Sequence, residues 1–485
     1  MSGGISPRCR VALVGMALGS LLVVSCGLRA PNEEVKAATA AAEGQGKNAL
    51  GSGAVAAGVT GSGDSAGPTS AGSAAGGAGA GGAATPGGAS TGAAATAAPS
   101  GGNGGATDVG VTGDTITVAN VSDLGGPVPG LFSGGPYGTQ AYFNYINSQG
   151  GVFGRKLKLV TADDQLQCSS NEAAYSNLVG KVFAFVGSWS LDDNCGAQIM
   201  KNHPDVPMVQ QALTTDFQNL PNEYSVAPYG TGAPLGPFLY FKQKFPDDIT
   251  KVGTLVGNQP AAVASWQHIK AAMQSVGYKV IYEDIFPAAQ TNFTADVVRM
   301  RSAGVQMVYL QAVNGPDAAF FAQEAAQQGW HPHVWICGVC YYGAYLQQSG
   351  GATSIEAHFA NTVNGMFLGE DAATVPEIGL FKQWLHSAYP SFTPDQFAAN
   401  SWANAALFVE ALKAAGPKLT RAAVLAALRR THVWNDHGMV APTDVASKKP
   451  SNCYLLLQVH GGAWNKIDDP PAPGFRCDAP YFTGG

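Results

Sequence analysis

The chain has 485 residues, of which 27 are Lys or Arg, 33 are Asp or Glu and 63 are Gly, giving a formal net charge of −6. This length exceeds what one hydrophobic core normally supports, so two or more domains are expected. The lack of a long basic run excludes nucleic acid as the main partner, because phosphate binding needs clustered Lys and Arg, and a mean hydropathy of +0.03 excludes a polytopic membrane protein.

At the N-terminus, Arg8 and Arg10 precede an apolar run from Val11 to Val24 that ends in Ser25-Cys26. The run is shorter than the roughly 20 residues that span a bilayer and reads as a secretory signal over residues 1–25. The segment also resembles a bacterial lipobox, which implies cleavage before Cys26 and acylation of that cysteine. An ordinary signal peptide with an unrelated cysteine is the alternative. An acylated Cys26 would hold the chain on the outer face of the cytoplasmic membrane without spanning it. Residues 26–107 read as a tether. From Gly51 to Ser100 every residue is Gly, Ala, Ser, Thr or Pro except Val55, Val59 and Asp64, a composition with too little to bury to offset the entropy of ordering. A Gly-rich coil of about 80 residues spans roughly 50 Å.

The folded part is expected from about Thr112, with strands alternating with helices. Thr115–Val121 alternates as a strand, a Gly/Pro-rich loop runs from Asp123 to Pro136, and Tyr137–Ser148 has helical periodicity. Lys156–Thr161 reads as a strand, Asn171–Lys181 as a helix, and Val182–Val186 as a buried parallel strand. Cys195–Lys201 reads as a helix and Val206–Val209 as a strand. The pattern restarts with strands at Thr250–Val256, Tyr278–Asp284, Val305–Leu310 and Val334–Ile336. Between them lie helices at Ala261–Val276, Phe293–Ser302 and Asp317–Gln328. Helices dominate from Pro376 to Arg430, and Cys453–His460 returns as a strand. This alternation predicts right-handed βαβ units and parallel sheets, in two lobes separated by a segment marked by Pro228, Gly230, Gly232 and Pro234.

Enzyme motifs are missing. The glycines of the first loop lack G-x-G-x-x-G spacing. There is no P-loop, no G-x-S-x-G elbow and no H-E-x-x-H. Six cysteines remain beyond Cys9 and Cys26, namely Cys168, Cys195, Cys337, Cys340, Cys453 and Cys477. An even number suggests disulfides in an oxidising compartment, although six cysteines allow 15 pairings.

Asn147-Ser148-Gln149-Gly150-Gly151-Val152-Phe153-Gly154-Arg155-Lys156-Leu157, leading into Asp163-Asp164, resembles a signature of the periplasmic leucine/isoleucine/valine-type binding proteins. These are the solute receptors of ABC importers. The resemblance runs from about Thr115 to Gly350 and more faintly to Lys466. It implies a type I periplasmic binding protein fold, with two doubly wound parallel-sheet α/β lobes joined by a three-stranded hinge and closing on a ligand. The lobes would be 108–230 plus 368–446, and 231–367 plus 447–485 with the C-terminal tail. It also implies a Cys168–Cys195 disulfide, and Cys453–Cys477 would then tie down the tail.

In a parallel sheet a ligand sits beyond the carboxyl ends of the strands. That selects the loops Asp123–Pro136, Ser188–Asp193, Gln210–Thr215, Asn258–Ala262, Gln311–Pro316 and Cys337–Tyr342. In the family, the second and third of these hold an amino acid's carboxylate and amine, and a lobe-two glutamate holds the ammonium. Ala212 and Thr214 fall where the family has its Ala and Thr contacts, and Leu213 between them is a further candidate contact. The family's serine run, however, is Leu191-Asp192-Asp193 here, with the two acids expected to cap the following helix. The family's glutamate falls near Val339 and its stacking tyrosine near Pro260. Aromatic residues Phe132, Trp189, Tyr341 and Tyr342 suggest an apolar or aromatic ligand, with polar contacts from Ser188, Ser190, Gln210 and Asn314.

Cys337-Gly338-Val339-Cys340 admits three readings. It is a disulfide that shapes the pocket loop and brings Cys340 against the ligand, a metal site with His331 and His333, or a redox pair. The expectation is a monomeric, cofactor-free and metal-free, lipid-anchored solute-binding protein of the cell envelope. It is not an enzyme, it takes a small organic ligand, and its partners are ABC permease subunits. A ligand sensor for an envelope receptor, or a thiol oxidoreductase acting through Cys337 and Cys340, are the alternatives.

Overall fold

β-Branched alternation at the start of the folded part gives a strand buried on both faces, with Ile116 and Val118 in one core and Ala119 and Val121 in another. In the computed structural model, which describes residue 100 and residues 102–228, 232–288, 290–467 and 474–484, this strand is β1 (Thr115–Ser122). It pairs in parallel with β2 (Lys156–Asp163) and β3 (Phe185–Val186). Met208–Val209 (β4) and Glu223–Tyr224 (β5) complete a five-stranded parallel sheet in the order β2-β1-β3-β4-β5. The connecting helices are α1 (Gly134–Ser148), α2 (Cys168–Leu178) and α3 (Asp193–Met200). The signal segment, Cys26 and nearly all of the tether lie outside the described residues.

Order begins ahead of Thr112. The buried Arg155 guanidinium donates to the carbonyls of Asn103, Gly105, Thr112 and Pro417 at 2.6–3.0 Å. These bonds tie residues 103–112 to the chain near its distant helices. They also satisfy a cation that would otherwise be costly to bury. The run Val182–Val186 contributes only its last two residues as strand. The guanidinium of Arg421 takes the carbonyls of Val179, Val182 and Phe183 instead, and bonds Asp205 at 2.8 Å.

After helix α4 (Gly236–Lys244), a second sheet is built from β6 (Val252–Gly257), β7 (Val280–Phe286), β8 (Met307–Leu310), β9 (Val334–Cys337) and β10 (Phe359–Thr362), all in parallel. Helices α5 (Pro260–Ser275), α6 (Thr294–Ala303) and α7 (Gly315–Gln327) link the first four strands. The chain then forms α8 (Pro376–Ala388), α9 (Gln396–Ala415) and α10 (Arg421–Leu428), and α8 and α9 pack on α1 of the first sheet's layer. It returns to the second sheet as β11 (Leu455–His460) and β12 (Ala463–Lys466). These two strands are antiparallel, so the second sheet is mixed rather than purely parallel, in the order β12-β11-β10-β9-β8-β6-β7.

The chain thus passes between the sheets three times. The last passage carries an antiparallel ribbon of Val433–Trp434 with Thr443–Asp444. The C-terminal Tyr481–Phe482 pairs antiparallel with Ala233–Pro234 at the first passage. Cys453–Cys477 closes the tail, and Asn452 Nδ2 donates to the carbonyls of Cys477 and Ala479. Among the described residues no helix is long and apolar enough to cross a membrane.

Candidate functional site

A cavity of about 660 Å³ opens between the two sheets, lined by Trp189, Gln211 and Thr214 from one side and by Tyr309, Gln311 and Val339 from the other. A smaller chamber of about 100 Å³ adjoins it, sharing Trp189, Leu213, Gln311 and Val339 and adding Phe132, Asn314, Asp317 and Phe397. Both lie at the carboxyl ends of the strands, where the loops diverge.

The first sheet's wall is aromatic. Trp189 follows β3 and is held by two bonds: its Nε1 donates to Ser401 Oγ at 2.9 Å and its N–H donates to Ser122 Oγ at 3.0 Å, while Ser401 in turn donates to the Gly187 carbonyl. Its ring meets Phe132 at 5.6 Å and Phe397 at 4.9 Å between centroids, and those two phenylalanines meet at 4.7 Å. This rigid cluster presents an apolar face to the smaller chamber.

The opposite wall is made by loops that follow β8 and β9. Cys337 and Cys340 form a disulfide that closes a turn and sets Gly338 and Val339 against the cavity. A Cβ at Gly338 would stand 1.8 Å from Gln311 Oε1, so the bare glycine backbone is what lets the Gln311 carboxamide lie there. That Oε1 is buried and accepts no hydrogen bond, and the same holds for Asn194 Oδ1 and Asn361 Oδ1, whose residues also line the cavity. Gln211 is fixed differently: its Nε2 donates to the Ala227 carbonyl and its Oε1 accepts from Ser225 Oγ.

Of the residues singled out in the sequence, Phe132, Trp189, Leu213, Thr214 and Asn314 line the two chambers. The others are spent inside the protein. Ser188 Oγ accepts from the Val121 N–H, and Ser190 Oγ accepts from Asn171 Nδ2 and the Asp192 N–H. Gln210 Nε2 donates to Tyr175 Oη beneath the sheet, and Ala212 is buried in the same core. Cys340 is fully buried and lines neither chamber. Tyr341 Oη donates to Glu370 at 2.8 Å and its ring packs on Phe367 and Trp464, while Tyr342 Oη donates to Gln348. Asn314 itself caps α7 by accepting from the Asp317 N–H at 2.8 Å.

The expected capping by Asp192 and Asp193 is also corrected, since no side chain caps α3. Asp193 Oδ2 instead accepts from the N–H groups of Leu213 at 2.6 Å and Thr214 at 3.3 Å, and its Oδ1 accepts from Thr214 Oγ1. Burial pushes the Asp193 carboxyl up to about 7, against those bonds, which favour the charged form. Asp317, at the rim of the smaller chamber, is raised to about 7 by burial, opposed by Asn314. Asp123, buried against Asp164, is raised to about 9 by burial first and then by that second carboxylate.

The metal reading of Cys337-x-x-Cys340 fares poorly. The sulfurs are bonded to each other and fully buried, and His333 Nδ1 lies 3.3 Å from Asp248 Oδ1 instead of joining them. Among the described residues, the group spaced for a metal is Glu377, Asp436 and His437, well apart in sequence from that motif. The structure also joins Cys168 to Cys195 and Cys453 to Cys477. Sequence reasoning missed Gln211, Asn194, Gln311, Val339 and Asn361 as site residues. Four of these five sit on or beside the selected loops, whereas Asn361 sits on β10, for which the sequence reading has no strand.

A family model described as periplasmic binding protein matches residues 115–463, more than two thirds of the chain. Leu/Ile/Val-binding protein homolog 7 of Brucella abortus (strain 2308) is 22% identical over 228 residues, which is 45% of this chain and 57% of the relative. The chain therefore spans little more than half the length of that curated relative. Among solved structures, the fatty acid ABC transporter substrate-binding protein from Thermomonospora curvata is similar with a TM-score of 0.64 at 21% identity, covering 75% of this chain and 93% of that one. A solute binding protein of an R. palustris ABC transporter, in complex with 4-hydroxybenzoate, gives a TM-score of 0.61 at 18% identity, covering 73% and 96%. Likeness at this level carries the fold. With the matched family model, it makes the chain a member of the periplasmic binding protein family, with the type I fold.

Proposed function

We propose that this chain is the solute receptor of an ABC importer, anchored at the outer face of the cytoplasmic membrane through acylated Cys26 after removal of residues 1–25. Residues 26–107 would serve as its tether, with only their last few residues joining the folded part. The lobes would be residues 108–230 with 368–446 and residues 231–367 with 447–485. A small organic solute binds in the cleft, the lobes close on it, and the closed monomer docks on permease subunits. The observation that carries this reading is the cavity of about 660 Å³ with walls from both sheets, which falls in the range of small-molecule sites. Its aromatic cluster and carboxamides suit an apolar body with a few directed hydrogen bonds. The test is a thermal-shift screen of the mature protein against aliphatic and aromatic amino acids, amides, organic acids and sugars. A ligand at about 100 times its Kd adds roughly 2.7 kcal/mol of stability, enough to raise the midpoint by a few degrees. A shift with a small organic solute is the expected result, and silence with every class would refute the reading.

A further inference from the structure

Two carboxylates are buried side by side away from the cleft. Glu377 stands in the first turn of α8 and is 6% exposed, and Asp436, in the third passage between the sheets, is 3% exposed. The imidazole of His437 lies beside them at the surface. One ligand atom from each of the three falls within 4.8 Å of the others. None of the three residues lines either chamber.

The surroundings do not balance this charge. Glu377 Oε1 accepts from Trp402 Nε1 of α9 at 2.7 Å, which sets its direction. Asp436 offers its carboxylate to the group, and its Oδ2 is buried and accepts no hydrogen bond. Among the described residues no Lys or Arg forms an ion pair with either carboxylate. Glu410, held by Trp434 Nε1 at 2.8 Å, adds a third negative charge nearby. Like charges this close in a dry site repel strongly, and an unpaired buried carboxylate oxygen is costly. A bound cation removes both penalties. The turn that carries two of the ligands is already fixed. Gly438 and Met439 donate their N–H groups to the carbonyls of Asn435 and Asp436, and the Gly365 N–H of the second passage donates to the Met439 carbonyl at 2.8 Å.

The donor set selects the ion. One imidazole with two carboxylates suits zinc, whereas calcium and magnesium favour all-oxygen shells. Ligand atoms about 2.1 Å from a tetrahedral zinc stand about 3.4 Å apart, so the three need to draw together by at most about 1.4 Å. The exposed imidazole gives the ion a way in from solvent, and the bond from Trp402 orients Glu377 as outer partners orient metal ligands.

We propose that Glu377, Asp436 and His437 form a zinc site, separate from the solute cleft, that clasps α8 to the third passage of the chain.

The test is calorimetric titration of the mature, untagged protein, first dialysed against a chelator, with zinc chloride at pH 7.5, beside thermal melts. The wild type should bind one zinc ion at this site, and zinc at about 100 times its Kd should raise the midpoint by a few degrees. Calcium or magnesium at the same concentration should do neither. Asp436→Asn keeps the shape, removes the charge and should abolish binding. His437→Gln, at the surface, should weaken zinc at least tenfold, and it carries the test should the asparagine variant fail to fold. His432→Gln, at an exposed pair with Asp444 outside the site, should bind zinc as the wild type does. A wild type that binds no zinc would overturn the proposal. So would zinc affinity unchanged in the folded Glu377, Asp436 or His437 site variants, or zinc binding lost in His432→Gln.

Discussion

Gly338→Ala probes the cleft with a single methyl group. Gly338 lies outside the left-handed region, so its backbone accepts alanine. The new Cβ would stand 1.8 Å from Gln311 Oε1, 2.5 Å from its Cδ and 2.7 Å from its Nε2, against ordinary contacts of about 3.5–4.0 Å. The atoms in the way belong to the far end of a flexible side chain, so Gln311 should swing aside by roughly 1.5–2 Å while the turn stays closed by its disulfide. An off-rotamer side chain costs about 0.5–1.5 kcal/mol, which in a chain of this size lowers the thermal midpoint by only about 1–2 °C. Ligand loses one neutral hydrogen bond, about 0.5–1.5 kcal/mol, so its affinity should fall about 2- to 12-fold. Calorimetric titration with the tightest ligand from the screen, beside a thermal melt, checks both numbers, and Gln311→Ala should reproduce the affinity loss. An unchanged affinity in Gly338→Ala, or a midpoint drop beyond about 5 °C, would refute the placing of Gln311 in the site.

Other consequences follow from the same contacts. Arg155→Met leaves four carbonyls without their donor and should lower stability by about 3–5 kcal/mol, at the upper end for lost buried hydrogen bonds. Urea unfolding measures it, and a loss under 1 kcal/mol would contradict the anchoring of residues 103–112. Replacing Cys453 and Cys477 by serine opens a loop of 24 residues and should cost about 2–4 kcal/mol, with faster proteolysis of the tail as a second readout. Stability should decline with rising pH. Burial raises Asp193, Asp317 and Asp395 to about 7 and Asp123 to about 9. Each therefore contributes stability that is complete below the unfolded value of 3.8 and is lost as pH climbs through 7 and then 9. His358, buried and pushed down to about 3, works oppositely, costing stability as pH falls below its ordinary 6.5. Scanning calorimetry should find the highest midpoint in mildly acidic buffer, and a midpoint that climbs steadily to pH 9 would be contrary evidence.

The alternation of strands and helices was legible because each buried strand carries its own apolar run and each helix its own periodicity. The boundaries moved where tertiary groups intervened. Arg421, more than 230 residues away in sequence, takes the carbonyls of Val182 and Phe183 and leaves β3 short. β5, β10 and β12 escaped notice, as did helix α4. Phe359–Thr362 is a four-residue stretch whose pairing with β11 comes from far along the chain, and such a partner leaves no local mark. At the site, the loops were found, and Phe132, Trp189, Leu213, Thr214 and Asn314 within them do line it, but after β4 the chosen glutamine was off by one place. Beyond Val209, period-two alternation sends Gln210 down to Tyr175 and turns Gln211 toward the cleft, a distinction invisible until the register of β4 is known. The two acids Asp192 and Asp193 read as helix caps because caps are local. The bonds of Asp193 to Leu213 and Thr214 join loops 20 residues apart.

The central claim is that the cleft between the two sheets is the solute site. Val339 lines both chambers, so Val339→Trp would fill the passage they share. Calorimetric titration of wild type and this variant with the screened ligand, each shown to be folded by its melt, tests the claim most directly. The account predicts one molecule bound per wild-type chain and a loss of binding of at least 100-fold in the variant, whereas undiminished binding by the tryptophan variant would place the ligand elsewhere and contradict it.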